Sequence, residues 1–318
     1  MKFNKTIATI FALLLIGATT SVQAQFLKPK FGIRAGINLS TMMGDKEVGT
    51  TEGDRLSVLI GVAGSIKLPL HDRFGLMAEV GFVQKGSFHY KEAENSFLKL
   101  PAFESQQNVT YGYSNAAGVF TKRTDKNYKK RVGMNVINGY IEVPILFYAE
   151  VVKDKIELEF GPSLGFLISS RSLGTLKFGP ADVLNTAEPD AAEFVEMDLD
   201  YKYLQDEANA LYSEVSRSAK LNGATRYYPS GPSAYYLTDG GEKTGNYFQT
   251  LDLGLQFGGS YYFSKGLKLG FRFQYSLLDI TNDKYDYSFT ELNTDGTYKT
   301  LEHRDANFGC QIFVGLQF

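Results

Sequence analysis

One pattern limits what this chain can fold into more than any other. Apolar and polar residues alternate with a period of two, and they do so in eight separate segments. Residues 31–39 put Phe31, Ile33, Ala35, Ile37 and Leu39 on one face, and Gly32, Arg34, Gly36 and Asn38 on the other. Residues 251–258 divide Leu251, Leu253, Leu255 and Phe257 from Asp252, Gly254, Gln256 and Gly258. Residues 266–277 divide Leu267, Leu269, Phe271, Phe273, Tyr275 and Leu277 from Lys268, Gly270, Arg272, Gln274 and Ser276. The last run sets Phe308, Cys310, Ile312, Val314, Leu316 and Phe318 against Gly309, Gln311, Gly315 and Gln317, and only Phe313 breaks its polar face. Segments 56–69, 73–90, 136–150 and 155–169 repeat the pattern less cleanly. This period belongs to a strand with two unlike faces. The second face is Gly, Ser, Gln and single charges, which suits a narrow lumen better than the surface of a soluble sandwich. Phe82, Tyr140, Phe147, Phe166, Tyr261 and Phe263 lie near segment ends, where aromatic girdles sit.

The connections sharpen this reading. Three are short, at 70–73, 151–154 and 264–266, and four are long, at 40–55, 91–135, 170–246 and 281–305. Short and long alternate strictly. Barrels of the outer membrane have that asymmetry, with tight periplasmic turns and long external loops. The expectation is an all-β, eight-stranded antiparallel transmembrane barrel, a monomer, with both termini periplasmic. Residues 1–24 read as a cleavable export signal, leaving the barrel as 25–318. Lys2 and Lys5 precede the apolar run 7–17, and Val22-Gln23-Ala24 is a small-x-small cleavage site. No cysteine follows that site, so no lipid anchor is expected. No later stretch is apolar for long enough to cross a bilayer as a helix.

Composition excludes other classes. The 318 residues contain one cysteine, so neither a disulfide framework nor a thiolate metal cage is available. Three histidines leave little for a metal centre, and no cofactor is expected. A formal net charge of −2 argues against nucleic-acid binding driven by bulk charge.

The strands carry recognisable motifs: Phe31-Gly-Ile-Arg34-Ala-Gly36-Ile-Asn-Leu-Ser40, Tyr140-Ile-Glu142-Val-Pro144-Ile-Leu146, Gly161-Pro-Ser-Leu-Gly165 and a closing Phe318. On these residues the chain resembles the outer-membrane β-barrel family of Bacteroidota that includes the PorT-type proteins. The resemblance covers roughly 25–90, 136–169 and 247–318. It implies a cell-envelope barrel, porin-like in kind, and it makes an accessory role in type IX secretion one expectation.

The alternation turns five cations, Arg34, Lys67, Lys85, Lys268 and Arg272, toward the bore. Five anions join them: Glu79, Glu142, Glu157, Glu159 and Asp252. Distance from the short turns puts Arg34, Glu79, Glu159 and Arg272 at one depth near the middle, where opposite charges are expected to pair. An eight-stranded bore is only wide enough for its own side chains. A plugged lumen is therefore expected, with porin-like passage of small solutes as the alternative.

The loops hold the remaining candidates. A helix is expected over 190–218, with Phe194, Met197, Tyr201, Leu204, Ala208, Leu211 and Val215 at spacings of three and four. Its apolar stripe suits either a lid packed on the loop's own aromatics or a docking face for an envelope or secretion protein. Tyr227, Tyr228, Tyr235 and Tyr236, set among Pro and Gly, form a possible ligand surface. Lys122, Arg123, Lys126, Lys129, Lys130 and Arg131 form a basic rim suited to lipopolysaccharide phosphates or to water. Enzyme activity is not expected. His89 and His303 are the only candidate bases, His71 falls in a turn, and no nucleophile motif accompanies them. Cys310 is expected to face lipid as an inert small hydrophobe.

Overall fold

A computed structural model describes residues 29–44, 50–55, 57–94, 112–114, 120–122, 128–180, 184–187, 195–204, 215–221, 224–229, 245–264, 266–283, 290–292, 298–300 and 302–318. The expected export signal lies outside the described residues, as do Phe194, Leu211, Tyr235 and Tyr236.

Eight long strands form the body: β1 Lys30–Met43, β2 Ser57–His71, β3 Phe74–Glu94, β4 Tyr128–Val152, β5 Ile156–Pro180, β6 Leu251–Tyr262, β7 Leu267–Ser276 and β8 Ala306–Gln317. Each pairs antiparallel with its sequence neighbours. β1 pairs with β8 from Gly32↔Gln317 to Met43↔Ala306, and this closes the ring. Closure removes the sheet edges that no lipid can satisfy. At that closing contact Gly36 is forced: a Cβ there would lie 2.1 Å from the Ile312 carbonyl oxygen. The turn after β4 relies on Asp154, which adopts φ 58° and donates its backbone N–H to Glu150 Oε2 at 3.1 Å.

The two faces sort as a membrane barrel requires. Along β7 every second residue is exposed, and these are Leu267, Leu269, Phe271, Phe273 and Tyr275. The alternate positions Lys268, Arg272, Gln274 and Ser276 are buried. Phe147, Phe166, Tyr261 and Phe263 are exposed on the outside, as girdle residues should be. Tyr140 is not. It shares the parity of Glu142 and is fully buried in the lumen, which corrects its girdle assignment. Cys310 is half-buried and shares the parity of the exposed Phe308 and Ile312.

Two further corrections concern the loops. β3, β4 and β5 run for 21, 25 and 25 residues, about twice what a membrane requires. Stretches 91–94, 128–135 and 170–180, expected as loop, are therefore strand. They continue the strands beyond the length a membrane requires, with polar residues such as Ser170 and Ser172 on the inner face, so the regular apolar alternation that marks a strand fades. Thr50–Arg55 pairs with the upper part of β3, and Val195–Tyr201 pairs with the upper part of β5. Val195–Tyr201 also overturns the helix expected over 190–218. Its sequence, Val-Glu-Met-Asp-Leu-Asp-Tyr, alternates perfectly, and strand pairing from Phe178↔Val195 to Ser172↔Tyr201 prevails over the helical spacing. Val215–Leu221, at the other end of the same stretch, pairs with Ala224–Pro229, which meets the loop-two strand Gly112–Ser114 at Tyr227↔Ser114. Among the described residues no helix is long and apolar enough to cross a membrane.

Candidate functional site

Strand alternation and the tilt of a closed sheet deliver ten charged side chains into one bore, in three tiers. The tier nearest the short turns joins Lys67 of β2, Glu157 of β5 and Lys268 of β7. Lys67 Nζ bonds Glu157, and it donates to the Tyr262 hydroxyl at 2.8 Å. Lys268 Nζ lies 3.6 Å from Glu157 Oε1. The Lys67 ammonium also stands 4.4 Å from the centre of the Tyr148 ring, a cation–π contact in a dry site.

The middle tier holds Arg34, Glu79, Glu159 and Arg272, one residue from each of four strands. Arg272 is completely buried and bridges two carboxylates. Its Nη1 lies 2.7 Å from Glu79 Oε2, and its Nη2 lies 2.6 Å from Glu159 Oε1. Arg34 Nη2 meets Glu79 Oε2 at 3.0 Å, while its Nη1 donates to Gln311 Oε1 at 2.7 Å. Gln256 Oε1 accepts from Arg272 at 3.2 Å. Phe313, the residue that broke the polar alternation, is 1% exposed and points inward. Arg34 and Arg272 lie over its ring at 5.0 and 5.5 Å. The exception to the pattern is a platform for both guanidinium groups.

The outermost tier places Lys85 between two carboxylates, Glu142 Oε1 at 2.7 Å and Asp252 Oδ2 at 3.0 Å. Asn307 Nδ2 also donates to Asp252 Oδ2, at 3.2 Å. Above these charges the bore continues in neutral polar pairs. Ser170 donates to Asn138 at 2.6 Å, Ser57 to Asn135 at 2.8 Å, and Asn38 to the Gln84 carbonyl at 2.6 Å. A cavity of about 10 Å³ lies among Arg34, Gly61, Ala63, Gly81 and Glu142, the space of one water molecule.

At the long-loop end two clusters tie loop residues to the strands. Tyr201, Tyr203, Tyr247 and Phe248 stack together, with Tyr203 5.1 Å from Tyr247 and 5.0 Å from Phe248. Tyr201 is 1% exposed, so it belongs to this packed cluster and is no surface residue. Leu204, which follows it, is half-buried. His303 is the centre of the second cluster. Its Nδ1 faces Asp283 Oδ1 at 3.3 Å and its Nε2 faces Asp305 Oδ2 at 3.2 Å. Asp279 Oδ1 accepts from the Thr281 and Asp305 backbone N–H groups at 3.0 and 3.1 Å.

The other sequence candidates are scattered. Tyr227 and Tyr228 lie on Ala224–Pro229. His89 is half-buried on β3, where its Cα partners are Met134 and Asp54. His71 is exposed at the β2–β3 turn and stacks on Phe74 with ring centres 4.9 Å apart. In the basic rim, Arg131 bonds Glu92, the Leu184 carbonyl and Asn185 Oδ1, so its charge is engaged within the protein. Among the described residues no three His, Cys, Asp or Glu side chains converge as a metal site.

Sequence reasoning missed the neutral partners Tyr148, Tyr262, Gln256, Gln311 and Asn307. The alternation placed Gln256 and Gln311 on the inward face, and extending its parity would have added Tyr148, Tyr262 and Asn307, but only depth across the closed ring says which charge each one meets.

A closed antiparallel ring of eight strands, apolar outside and charged inside, defines an outer-membrane β-barrel of the small type. The chain belongs to the outer membrane protein beta-barrel domain family, whose model matches residues 23–282. A search of curated proteins found no match. Among solved structures, Ail of Yersinia pestis in complex with the heparin analogue sucrose octasulfate is 9% identical, with a TM-score of 0.31; the alignment covers 92% of this chain and 99% of that one. OprG of Pseudomonas aeruginosa is 9% identical at TM-score 0.31, over 92% and 97% of the two chains. Neisserial surface protein A is 11% identical at TM-score 0.26, over 91% and 97%.

Proposed function

We propose that this protein is a monomeric, non-conducting and non-enzymatic barrel of the cell envelope. It serves as a rigid base from which the external loops bind a partner protein or a ligand at the cell surface. The observation that carries the reading is the middle tier. Arg34, Glu79, Glu159 and Arg272 span the bore from four strands, with Phe313 filling the space beside them. An ion crossing this level would have to break at least one buried pair, at a cost of several kcal/mol. The length of β3, β4 and β5 adds support, because walls that continue past the membrane hold loop residues at a fixed height.

The direct test is recording from the purified protein in planar bilayers. The reading expects no steady conductance; a large and steady one would replace it with porin-like passage of small solutes. Partner binding is tested separately, by mild-detergent affinity purification of the full chain and of a variant lacking residues 205–244. Partners lost with the loop would support the platform role. If those partners were components of a type IX secretion machine, the accessory role implied by the PorT-type motifs would follow.

A further inference from the structure

We propose that His303 is a proton-operated clasp on the long connection between β7 and β8. Charged, its ring holds Asp283 and Asp305 together; neutral, it keeps Asp305 and releases Asp283. The ring is enclosed, with 2% of its side chain exposed, and a carboxylate oxygen stands within 3.3 Å of each nitrogen. A neutral imidazole has one N–H and one lone pair, whereas the imidazolium has two N–H groups. In either neutral tautomer one nitrogen would set its lone pair against a carboxylate. Only the charged ring presents a proton to both.

The two aspartates are held differently. Asp305 is fixed from several sides. Its backbone N–H donates to Asp279 Oδ1 at 3.1 Å, its carbonyl accepts from the Ile280 N–H at 3.0 Å, and its Oδ2 accepts from Thr281 Oγ1 at 3.0 Å. Its Oδ1 lies against Gly44, just past β1, where a Cβ would stand only 1.7 Å away. The side chain of Asp283 is 35% exposed and can turn to water. Loss of the second proton therefore breaks the Asp283 contact first. The charged groups on the two segments packed here, 279–283 and 302–305, are Asp279, Asp283, Glu302, Arg304 and Asp305, and segment 246–249 adds the titratable Tyr247. Arg304 donates from Nη2 to the Ser276 and Leu277 carbonyls at 3.3 and 2.8 Å. Acidic groups outnumber basic ones in this set, so the added proton meets net attraction.

The segment under the clasp also holds the end of the preceding long connection. The Gln249 N–H donates to the Ile280 carbonyl at 2.8 Å, and the Asn282 N–H donates to the Tyr247 carbonyl at 2.8 Å. Tyr247 and Phe248 in turn pack on Tyr203. One proton thus sets how firmly the bases of both long connections are held at the rim. The clasp closes as pH falls through the point where the ring takes its second proton, and it opens as pH rises through that point. Below about pH 4 the aspartates take up protons and the contact weakens again. The device needs no bound partner, so it stands independently of the platform role.

The test is hydrogen exchange of the full protein in nanodiscs, read on amides 280–282 at about pH 5.5 and about pH 8 and corrected for the intrinsic exchange rate. Histidine C–H NMR signals of the same sample follow the ring itself. Protection in the parent should fall about tenfold from the lower to the higher pH, roughly what one charge-assisted hydrogen bond contributes. His303→Gln, which takes up no proton, and Asp283→Asn should each lose most of that pH dependence while the barrel keeps its heat resistance on gels. His89→Gln should behave as the parent does. Equal protection at both pH values in the parent, or a His303 ring that titrates without any change in protection, would overturn the clasp. So would pH dependence that survives in His303→Gln or Asp283→Asn, or that disappears in His89→Gln.

Discussion

Removing the Arg272 side chain should strand a buried carboxylate in the middle of the lumen. Arg272 is fully buried and donates from Nε to Glu159 Oε1 at 2.7 Å, and from Nη1 and Nη2 to Glu79 at 2.7 and 3.2 Å. Arg272→Met keeps most of the volume and removes the charge. Glu79 would retain Arg34, but Glu159 would lose the cation that pairs with it in the middle tier. Stranding one buried carboxylate costs about 3–5 kcal/mol, because desolvation is no longer offset by attraction. The assay is equilibrium urea unfolding in lipid vesicles, followed by the gel shift between folded and unfolded barrel. Adding Glu159→Gln removes the stranded charge, so the double variant should regain at least half of the loss. A single variant as stable as the parent would refute the argument. So would a double variant no better than the single one, since the cost would then come from packing rather than charge.

Four further outcomes follow from the same geometry. Arg34→Ala should destabilise the barrel less than Arg272→Met, because Arg34 serves only one of the two central carboxylates; thermal gel shifts measure both. Phe313→Leu removes the ring beneath two guanidinium groups and should cost about 1–2 kcal/mol in the same urea assay. Raising salt from 0.05 to 1 M should leave unfolding nearly unchanged, since screening acts on exposed pairs and hardly on buried ones; a shift beyond about 1 kcal/mol would place water in the bore. His303→Ala should free the segment around 279–305 to limited proteolysis while urea stability of the barrel stays within about 0.5 kcal/mol. The reason is that its two aspartate partners tie loop to rim and touch no lumen charge.

Much of the barrel was legible in the chain because a membrane barrel must alternate. Lipid-facing positions are mostly apolar and lumen positions mostly small, polar or charged, so eight segments, their inward parity and all ten lumen charges could be read from a period of two, with Met77, Leu146 and Phe313 as buried apolar exceptions. The grouping of Arg34, Glu79, Glu159 and Arg272 was legible too, since distance from a short turn approximates depth. Where the lipid stops, that constraint stops. Val195–Tyr201 alternates as well, but a seven-residue strand is too short a signal to outweigh the competing helical spacing over 190–218.

What only the tertiary structure decided are contacts between residues far apart in sequence. Tyr140 reads as a girdle aromatic and Phe313 only as a break in the polar face, until ring closure sets them beside Lys85, Arg34 and Arg272. Lys85 meets both Glu142 and Asp252 because β3 and β6, separated in sequence by more than half the chain, face each other across a narrow bore. Tyr201 changes from a candidate surface residue to a buried one because Tyr247 and Phe248 arrive beside Tyr203 from the far end of the same loop. Periodicity assigns a residue to a face. Closure of the ring, which sets the spatial partner of each strand, assigns it a neighbour.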